Sequence, residues 1–158
     1  MAGNGEKIHL DEIDRKLLSL LQANAKVPFA ELGRRLGISS SGVHKRVRKL
    51  ERGGIIRKYV AVVDPGAVGK KLKAFVGIST APGACATVTS ELSTMEEVLE
   101  IHEMAGEHDL FVKIITEDTL KLNELLHSID EIPGVTSTRT LVVLKTEKEA
   151  GGIWFSKE

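Results

Sequence analysis

The chain has 158 residues, a length that suffices for one or two small domains. Of these residues 42% are hydrophobic and 28% are charged. Since no run of about 18 apolar residues occurs and the start, MAGNGEK, is polar, we expect neither a membrane span nor a signal peptide. The single cysteine, Cys85, excludes an internal disulfide framework and a cysteine metal cluster, and indicates a reducing, cytoplasmic setting.

The net charge of zero conceals a difference between two parts of the chain. Up to Asp64 there are 13 Lys and Arg against 7 Asp and Glu, a net charge of +6, whereas the remainder has 9 against 15, a net charge of −6. Such asymmetry predicts nucleic acid as the partner of the N-terminal part and another role for the rest.

Three helices are predicted in the basic part. The first begins after Asp11, an N-cap residue, and ends near Ala23. Pro28 suits the entry to a second helix. Gly37 then stands where the corner of a helix-turn-helix motif requires a left-handed residue, and Ser39 can cap the third helix.

The third helix separates its apolar residues from its cations. Val43, Val47 and Leu50 have the i, i+4, i+7 spacing of one buried stripe. At 3.6 residues per turn, the opposite side is polar and cationic, with Ser41, Lys45, Arg48 and Arg52 at its centre, Lys49 beside them and His44 on the flank. This pattern indicates a DNA-recognition helix. A helical hairpin with a solvated basic face is the alternative interpretation.

After the third helix the apolar residues follow period two, and residues 55–64 predict a short strand. Arg57 and Lys58 on this strand could contact the DNA backbone or could face solvent. Residues 65–71, rich in glycine and lysine, predict a linker between two domains.

The acidic part predicts the element order βαββαβ, which is the ferredoxin-like arrangement and makes the fold class α+β. The predicted strands are Leu72–Thr80, Glu97–Met104, Asp109–Thr116 and Val135–Glu147, and the predicted helices are Ala84–Ser93 and one that begins after Thr116 or Asp118 and ends before Pro133.

One face of this predicted sheet lacks helices. We expect it to expose β-branched residues and to pair with a second subunit. The apolar tail Ile153, Trp154 and Phe155 is predicted to dock on a subunit rather than to stay in water.

The sequence contains no motif of catalysis or of cofactor binding. HExxH, GxSxG, a phosphate loop and a dinucleotide fingerprint are all absent. An acidic and histidine-rich stretch around His102 does not have zinc-site spacing, because His102 and Glu103 would point to opposite faces of a strand. We therefore expect no catalytic residues, no metal and no cofactor.

The order of five motifs resembles the Lrp/AsnC (leucine-responsive, or feast/famine) family of transcription regulators. The motifs are DEIDRKLLSLL, FAELGRRLGIS, VHKRVRKLERGGII, MAGEHDLFVKI and IPGVTSTRTLVVLK. The resemblance implies a winged helix-turn-helix followed by a ferredoxin-like RAM (AsnC-type) domain. The predicted boundaries are 8–64 for the DNA-binding domain, 65–71 for the linker, 72–148 for the oligomerisation and effector-binding domain, and 149–158 for the tail.

Carried over residue by residue, the resemblance divides the DNA contacts into two sets. Base reading falls to Ser40, Ser41, Gly42, His44 and Lys45, and phosphate contact mainly to Arg34, Arg35, Arg46, Arg48 and Lys49. The helical projection turns Arg46 towards the side of the apolar stripe. Gly33 stands where the family more often has alanine, which predicts a less rigid module, since a helical glycine costs about 0.5–1 kcal/mol relative to alanine.

The resemblance also implies an effector site for an amino acid. It maps to a hairpin and to the last strand, namely Ala105, Gly106, Glu107, His108, Asp109, Ser137, Thr138, Arg139 and Thr140. Backbone amides at a glycine turn can hold the carboxylate of an amino acid, and Asp109 can accept from its ammonium group. Alternatively, the glycine simply makes the turn and Asp109 caps it.

The function implied is a sequence-specific regulator that binds double-stranded DNA, whose DNA affinity or oligomeric state responds to an amino acid. The resemblance implies a homodimer, a tetramer of dimers, and a nucleoid-associated location in a prokaryotic cell. Two alternatives are an architectural DNA-compacting protein and an enzyme similar to the sirohaem decarboxylases, which resemble the same two-module architecture.

Overall fold

The structure is a computed structural model that describes residues 9–149 and 152–155. The described residues form two compact units, divided between Ala61 and Val62. The helical unit contains the residues up to Ala61 and those from Lys148 onward, and the sheet unit contains Val62–Glu147. Among the described helices none is long and apolar enough to cross a membrane.

The helical unit contains α1 (Glu12–Ala23), α2 (Phe29–Leu36) and α3 (Ser40–Arg52). Both predicted side-chain caps form. The Asp11 carboxylate accepts from the backbone N–H of Asp14 at 2.7 Å, and the Ser39 hydroxyl accepts from that of Gly42 at 3.1 Å. Gly37 ends α2 with φ +69°, the left-handed conformation that the corner was predicted to need.

The three helices bury one shared core. Leu17, Leu32, Val43 and Leu50 are completely buried, and Val47 is 3% exposed. The predicted apolar stripe of α3 is therefore the side of the helix that faces α1 and α2.

Gly33 is required by close packing at the helix-turn-helix corner. A Cβ atom at this position would lie 2.6 Å from the backbone oxygen of Ile38. The same corner is fixed by two backbone hydrogen bonds, because the carbonyl of Gly33 accepts from the amides of Gly37 and Ile38. The glycine thus allows a close contact at the corner, and the expectation of a less rigid module stays a prediction.

A buried carboxylate ties α1 to α3. Asp14 has no exposed surface, and its Oδ1 lies 2.7 Å from Nη1 of Arg46. The same guanidinium nitrogen lies 2.7 Å from Oδ2 of Asp11, and Lys49 Nζ lies 3.3 Å from Oδ2 of Asp14. The amide of Asp14 and the guanidinium of Arg46 lower the pKa of Asp11. The surrounding cations compensate the carboxylate that folding removes from water.

The predicted strand over residues 55–64 is wrong, because no strand forms there. These residues have no neighbouring strand in the chain, and a strand exists through its ladder of hydrogen bonds. Val60 and Val62 are 65% and 92% exposed. Tyr59 is held by its hydroxyl, which donates to Glu51 Oε1 at 3.0 Å, and partial burial and this hydrogen bond raise the pKa of Tyr59 to about 12.

The sheet unit has the predicted βαββαβ order. Its elements are β1 (Leu72–Thr80), α4 (Cys85–Leu92), β2 (Val98–Glu103), β3 (Leu110–Thr116), α5 (Thr119–Asp130) and β4 (Val135–Val142). The strands are antiparallel in the order β2-β3-β1-β4, so the ferredoxin-like fold is confirmed. Asp118, rather than Thr116, caps α5 by accepting from the amide of Lys121.

The last strand is shorter than predicted, since β4 ends at Val142 and not at Glu147. Its partner β1 begins at Leu72, and the last backbone bond between the two segments runs from the amide of Val143 to the carbonyl of Lys73. Beyond that point the ladder has no partner strand.

Helices pack on one face of the sheet, whereas the other face carries no helix of the described part of the chain. The covered face packs against α4 and α5. There, at every second position of β1, lie Ala74, Val76 and Ile78, which are fully buried. The open face carries half-buried Phe75 and Phe111, whose rings stack with centroids 5.6 Å apart, together with Ile115 and the 51% exposed Leu141. The expectation of β-branched residues on this face is wrong, because Ile115 is the one β-branched residue among these four apolar residues.

We predict that Gly33→Ala destabilises the helical unit by about 1–3 kcal/mol, because the added methyl group overlaps a backbone oxygen that cannot move without opening the corner. Chemical denaturation followed by circular dichroism measures the loss. Gly106→Ala is the control, since a Cβ there meets nothing within 4 Å. A more stable Gly33→Ala protein would contradict the packing argument.

Candidate DNA-binding surface and effector site

The outward face of α3 carries most of the predicted base-reading residues. Ser40, Ser41, His44 and Lys45 are exposed at the N-terminal half of the helix, and Gly42 is half-buried because it packs near the cap. The Ser41 hydroxyl lies 3.0 Å from that of Ser39, and the His44 ring packs on Phe29 with centroids 5.7 Å apart. The cap and this ring contact orient the start of the helix.

The cations of the predicted DNA-binding surface fall into two kinds. Lys45 and Arg48 are exposed and form no ion pair within the described part of the chain. Others are already paired with carboxylates of the helical unit. Arg46 contacts Asp11 and Asp14, Lys49 contacts Asp14, and both Arg34 and Arg35 contact Glu31.

The pairing of Arg34 and Arg35 with Glu31 follows the i, i+3 and i, i+4 spacing of one helix, a sequence signal that the prediction did not use. Glu31 Oε1 lies 2.8 Å from Nε of Arg35, and Arg34 contacts the other oxygen. The hydrogen bond from Arg35 lowers the pKa of Glu31. Since both arginines are more than half exposed, they can share this carboxylate with an incoming phosphate.

The predicted effector hairpin, Ala105 to Asp109, joins β2 to β3. It is held at its base, where the amide of Met104 donates to the carbonyl of Asp109 and the amide of Asp109 donates to that of Ile78. Within the described residues the backbone amides of residues 105–108 have no acceptor. Four amide donors at one turn are the kind of group that receives a carboxylate.

The Asp109 carboxylate already accepts hydrogen bonds within the protein. Its Oδ2 accepts from the backbone amide of Thr80 at 2.7 Å and from the hydroxyl of Thr80 at 3.1 Å. These contacts go to Thr80 and not to an amide of the hairpin, so the Asp109 carboxylate does not cap the turn as the alternative supposed. They tie the hairpin to the end of β1.

His108 folds over the open face of the sheet. Its Nδ1 lies 3.3 Å from the Ser79 hydroxyl, and a Cβ at Gly77 would lie 2.3 Å from its ring. Gly77 and Ser79 were not among the predicted site residues. A glycine inside a strand was the available signal, because it marks close approach by another group.

The predicted residues of β4 divide between the two faces of the sheet. Ser137 and Arg139 lie opposite Ser79 and Gly77, so they share the open face with the hairpin. Arg139 Nη1 contacts Glu107 Oε1 at 3.2 Å.

Thr138 and Thr140 point to the helix-covered face instead, and the Thr138 hydroxyl donates to Asp130 at 2.8 Å. The structure therefore brings Arg139 to the hairpin and keeps Thr138 and Thr140 away from it.

The acidic and histidine-rich stretch forms pairs rather than a metal site. Glu100 contacts His102 and Lys113, and no cluster of three metal-binding side chains occurs among the described residues.

Both parts of the chain match models of protein families. Residues 10–51 match the AsnC-type helix-turn-helix domain, and residues 73–153 match the Lrp/AsnC ligand binding domain. The two matches coincide with the helices of the helical unit and with the strands of the sheet unit.

Proteins of known name and structure resemble nearly the whole chain. The HTH-type transcriptional regulator FL11 of Pyrococcus abyssi is 42% identical over 143 residues, covering 90% of this chain and 95% of the relative. The feast or famine regulatory protein of M. tuberculosis complexed with L-methionine has a TM-score of 0.87 and 34% identity, over 92% of this chain and 99% of that one.

A transcriptional regulator from Neisseria meningitidis in complex with L-Met has a TM-score of 0.87 and 28% identity, over 92% and 96% of the two chains. The motif order, the fold, the family models and these relatives agree. The chain belongs to the Lrp/AsnC family of helix-turn-helix transcription regulators.

Proposed function

We propose that the protein is a sequence-specific DNA-binding regulator whose assembly and DNA affinity respond to an α-amino acid. The observation that supports DNA recognition best is the outward face of α3, where Lys45 and Arg48 are exposed without ion pairs among the described residues. Unpaired cations on a helix of suitable size for the major groove can exchange water and counterions for phosphates and base edges.

The position along α3 suggests the division of labour. Ser40, Ser41, Gly42, His44 and Lys45 occupy its first turns, which in a recognition helix face base edges, and Arg48 lies one turn further on. We assign Arg48, Arg34 and Arg35 to phosphates. Arg46 and Lys49 act mainly through Asp14, which fixes the angle between α1 and α3, and Lys49 can reach a phosphate as well because it is 45% exposed.

We expect Arg48→Ala to weaken binding to all duplex sequences alike and to lower the slope of log affinity against log salt by about 1. Lys45→Ala and Ser41→Ala should instead change sequence preference, each lost base contact costing about 1–3 kcal/mol. Fluorescence anisotropy titrations with specific and random duplexes at several salt concentrations separate these effects.

Two controls accompany this experiment. Lys121→Ala removes the same charge from α5 and should change nothing. Arg46→Met should lower the stability of the helical unit by roughly 3 kcal/mol, because it leaves the Asp14 carboxylate undercompensated. Equal losses on all sequences for Lys45→Ala and Arg48→Ala would favour an architectural DNA-compacting protein instead.

A second copy of the chain would cover the open face of the sheet. Phe75, Phe111, Ile115 and Leu141 form an apolar patch there that water would otherwise contact. Residues 57–63 also support pairing with a second copy. They expose valines and donate no backbone hydrogen bond within the described part of the chain. A homodimer presents two recognition helices, and further assembly, up to a tetramer of dimers, would set their spacing.

We predict that Leu141→Lys converts the dimer to a monomer, because it places a charge within the apolar patch, next to Phe75. Light scattering after size exclusion measures the mass. The matched control is Leu120→Lys, which alters a 66% exposed leucine on α5 and should leave the mass unchanged. A wild-type protein that is monomeric at every concentration would contradict the proposal.

The hairpin between β2 and β3 is the proposed effector site. Its four free amides can hold a carboxylate, and Glu107 and Arg139 supply one exposed charge of each sign beside them. We assign Glu107 rather than Asp109 to the ammonium group, since Asp109 Oδ2 already accepts two hydrogen bonds from Thr80. Two relatives of similar fold are described as complexes with L-methionine, which supports this ligand class.

An effector would act through the dimer contacts. Coupling between an effector and DNA is typically worth 1–3 kcal/mol, or about 5–150-fold in affinity. A ligand that bridges hairpins of neighbouring dimers would change the assembly and thereby the positions of the DNA-binding units.

Calorimetric titration with the twenty amino acids, L-methionine first, tests the site. We expect at least one to bind, and Arg139→Ala to weaken that binding about tenfold or more, the value of one lost charged hydrogen bond. Lys145→Ala is the control for charge. If no amino acid releases heat, or if Arg139→Ala binds as tightly as the wild type, the assignment fails.

A further inference from the structure

The C-terminal segment returns to the helical unit. Residues 152–155 belong to that unit, although the whole sheet unit lies between them and α3 in sequence. The polypeptide therefore crosses from one unit to the other twice, once near Ala61 and once near Lys148. The second crossing would serve to hold the C-terminal segment in place if this segment makes specific contacts with the helical unit.

Gln22 on α1 supplies those contacts. The backbone amide of Ile153 donates to Gln22 Oε1 at 2.7 Å, and Gln22 Nε2 donates to the carbonyl of Ile153 at 3.0 Å. One side-chain amide thus satisfies both backbone groups of one residue, much as a neighbouring strand would. Since every residue carries the same two backbone groups, this pairing alone sets no register, which depends on the neighbouring Gly152 and Phe155.

The residue before Ile153 has to be small. A Cβ at Gly152 would lie 2.8 Å from Gln22 Oε1 and 3.2 Å from Gln22 Cδ. The glycine allows the backbone to approach the side chain of Gln22 closely.

Phe155 anchors the end of the segment. It packs against the core formed by the three helices and forms part of the wall of a groove of about 1040 Å³ along α1 and the end of α2. By contrast, Ile153 and Trp154 are 74% and 85% exposed. The segment thus holds on through one backbone pairing and one aromatic side chain.

We propose that Gly152–Phe155 is an intramolecular clasp of the DNA-binding unit, with Gln22 and the groove beside Phe155 as its receptor. The clasp leaves the recognition surface available, since its polar contacts are made to α1 and none involves Ser41, Lys45 or Arg48 on the outward face of α3. It joins the end of the chain to the helical unit, so that this unit is attached to the sheet unit at two points.

The geometry suggests a direct chemical test. The ideal Cβ of Gly152 lies 3.4 Å from Gln22 Cβ, close to the mean of about 3.8 Å found in disulfides. We expect Gln22→Cys with Gly152→Cys, in a Cys85→Ser background, to form an intrachain disulfide on mild oxidation. Thiol titration should then find no free thiol, and a non-reducing denaturing gel should show a single-chain band.

The matched control is Gln22→Cys with Trp154→Cys, because the Trp154 side chain points to solvent. Both variants lack the Gln22 hydrogen bonds, so the packing of Phe155 holds the segment in them, and this pair should oxidise at least tenfold more slowly if that packing fixes the register. Equal rates in the two variants would show a segment without a register, and disulfide-linked dimers would show that the receptor belongs to another chain. Either result overturns the clasp.

Two further measurements test the clasp. One removes the Gln22 contacts, and the other compares DNA binding before and after the disulfide locks the segment in place. Gln22→Ala should increase amide hydrogen exchange at Ile153 about tenfold or more, since it removes that amide's acceptor, while exchange in α3 stays unchanged. The oxidised double-cysteine variant should bind DNA with the affinity of the reduced one. Unaltered exchange at Ile153, or loss of DNA binding on locking, would refute the proposal.

Discussion

The apolar stripe of α3 is the constraint on which recognition depends. Val43, Val47 and Leu50 are all but fully buried against α1 and α2, and this fixes the rotation of the helix about its axis. At 3.6 residues per turn, a register shift of one residue would turn the helix by about 100°. The hydrophobic contact therefore decides which side chains meet DNA, although it touches no nucleotide itself.

The cations of this module serve two different ends. Lys45 and Arg48 are left to water, whereas Arg46 and Lys49 neutralise Asp14 inside the unit. Both kinds look alike in a count of charges. In our proposal they differ in what would happen on deletion, because the first kind would supply affinity for DNA, whereas the second kind holds α1 and α3 together.

Local signals predicted most of the fold. The caps at Asp11 and Ser39, the left-handed Gly37 and the alternation within β1 depend on neighbours a few residues away, and all of them are present in the structure. The errors arose where distant residues decide. Residues 55–64 lack a partner strand, and β4 stops where β1 begins. Likewise the use of Asp109 by Thr80 joins residues far apart in the chain, whereas Glu31 pairs with two arginines of its own helix at the i+3 and i+4 positions, a local signal that the sequence does contain.

The hydrogen bond between Tyr59 and Glu51 has a mechanical consequence. Burial and the Glu51 carboxylate raise the pKa of Tyr59 to about 12, so the Tyr59 phenol keeps the proton that it donates at neutral pH. The hydrogen bond closes a loop between the last turn of α3 and the segment that leaves the helical unit. The start of that segment is therefore fastened to the last turn of α3 and does not leave the helical unit freely.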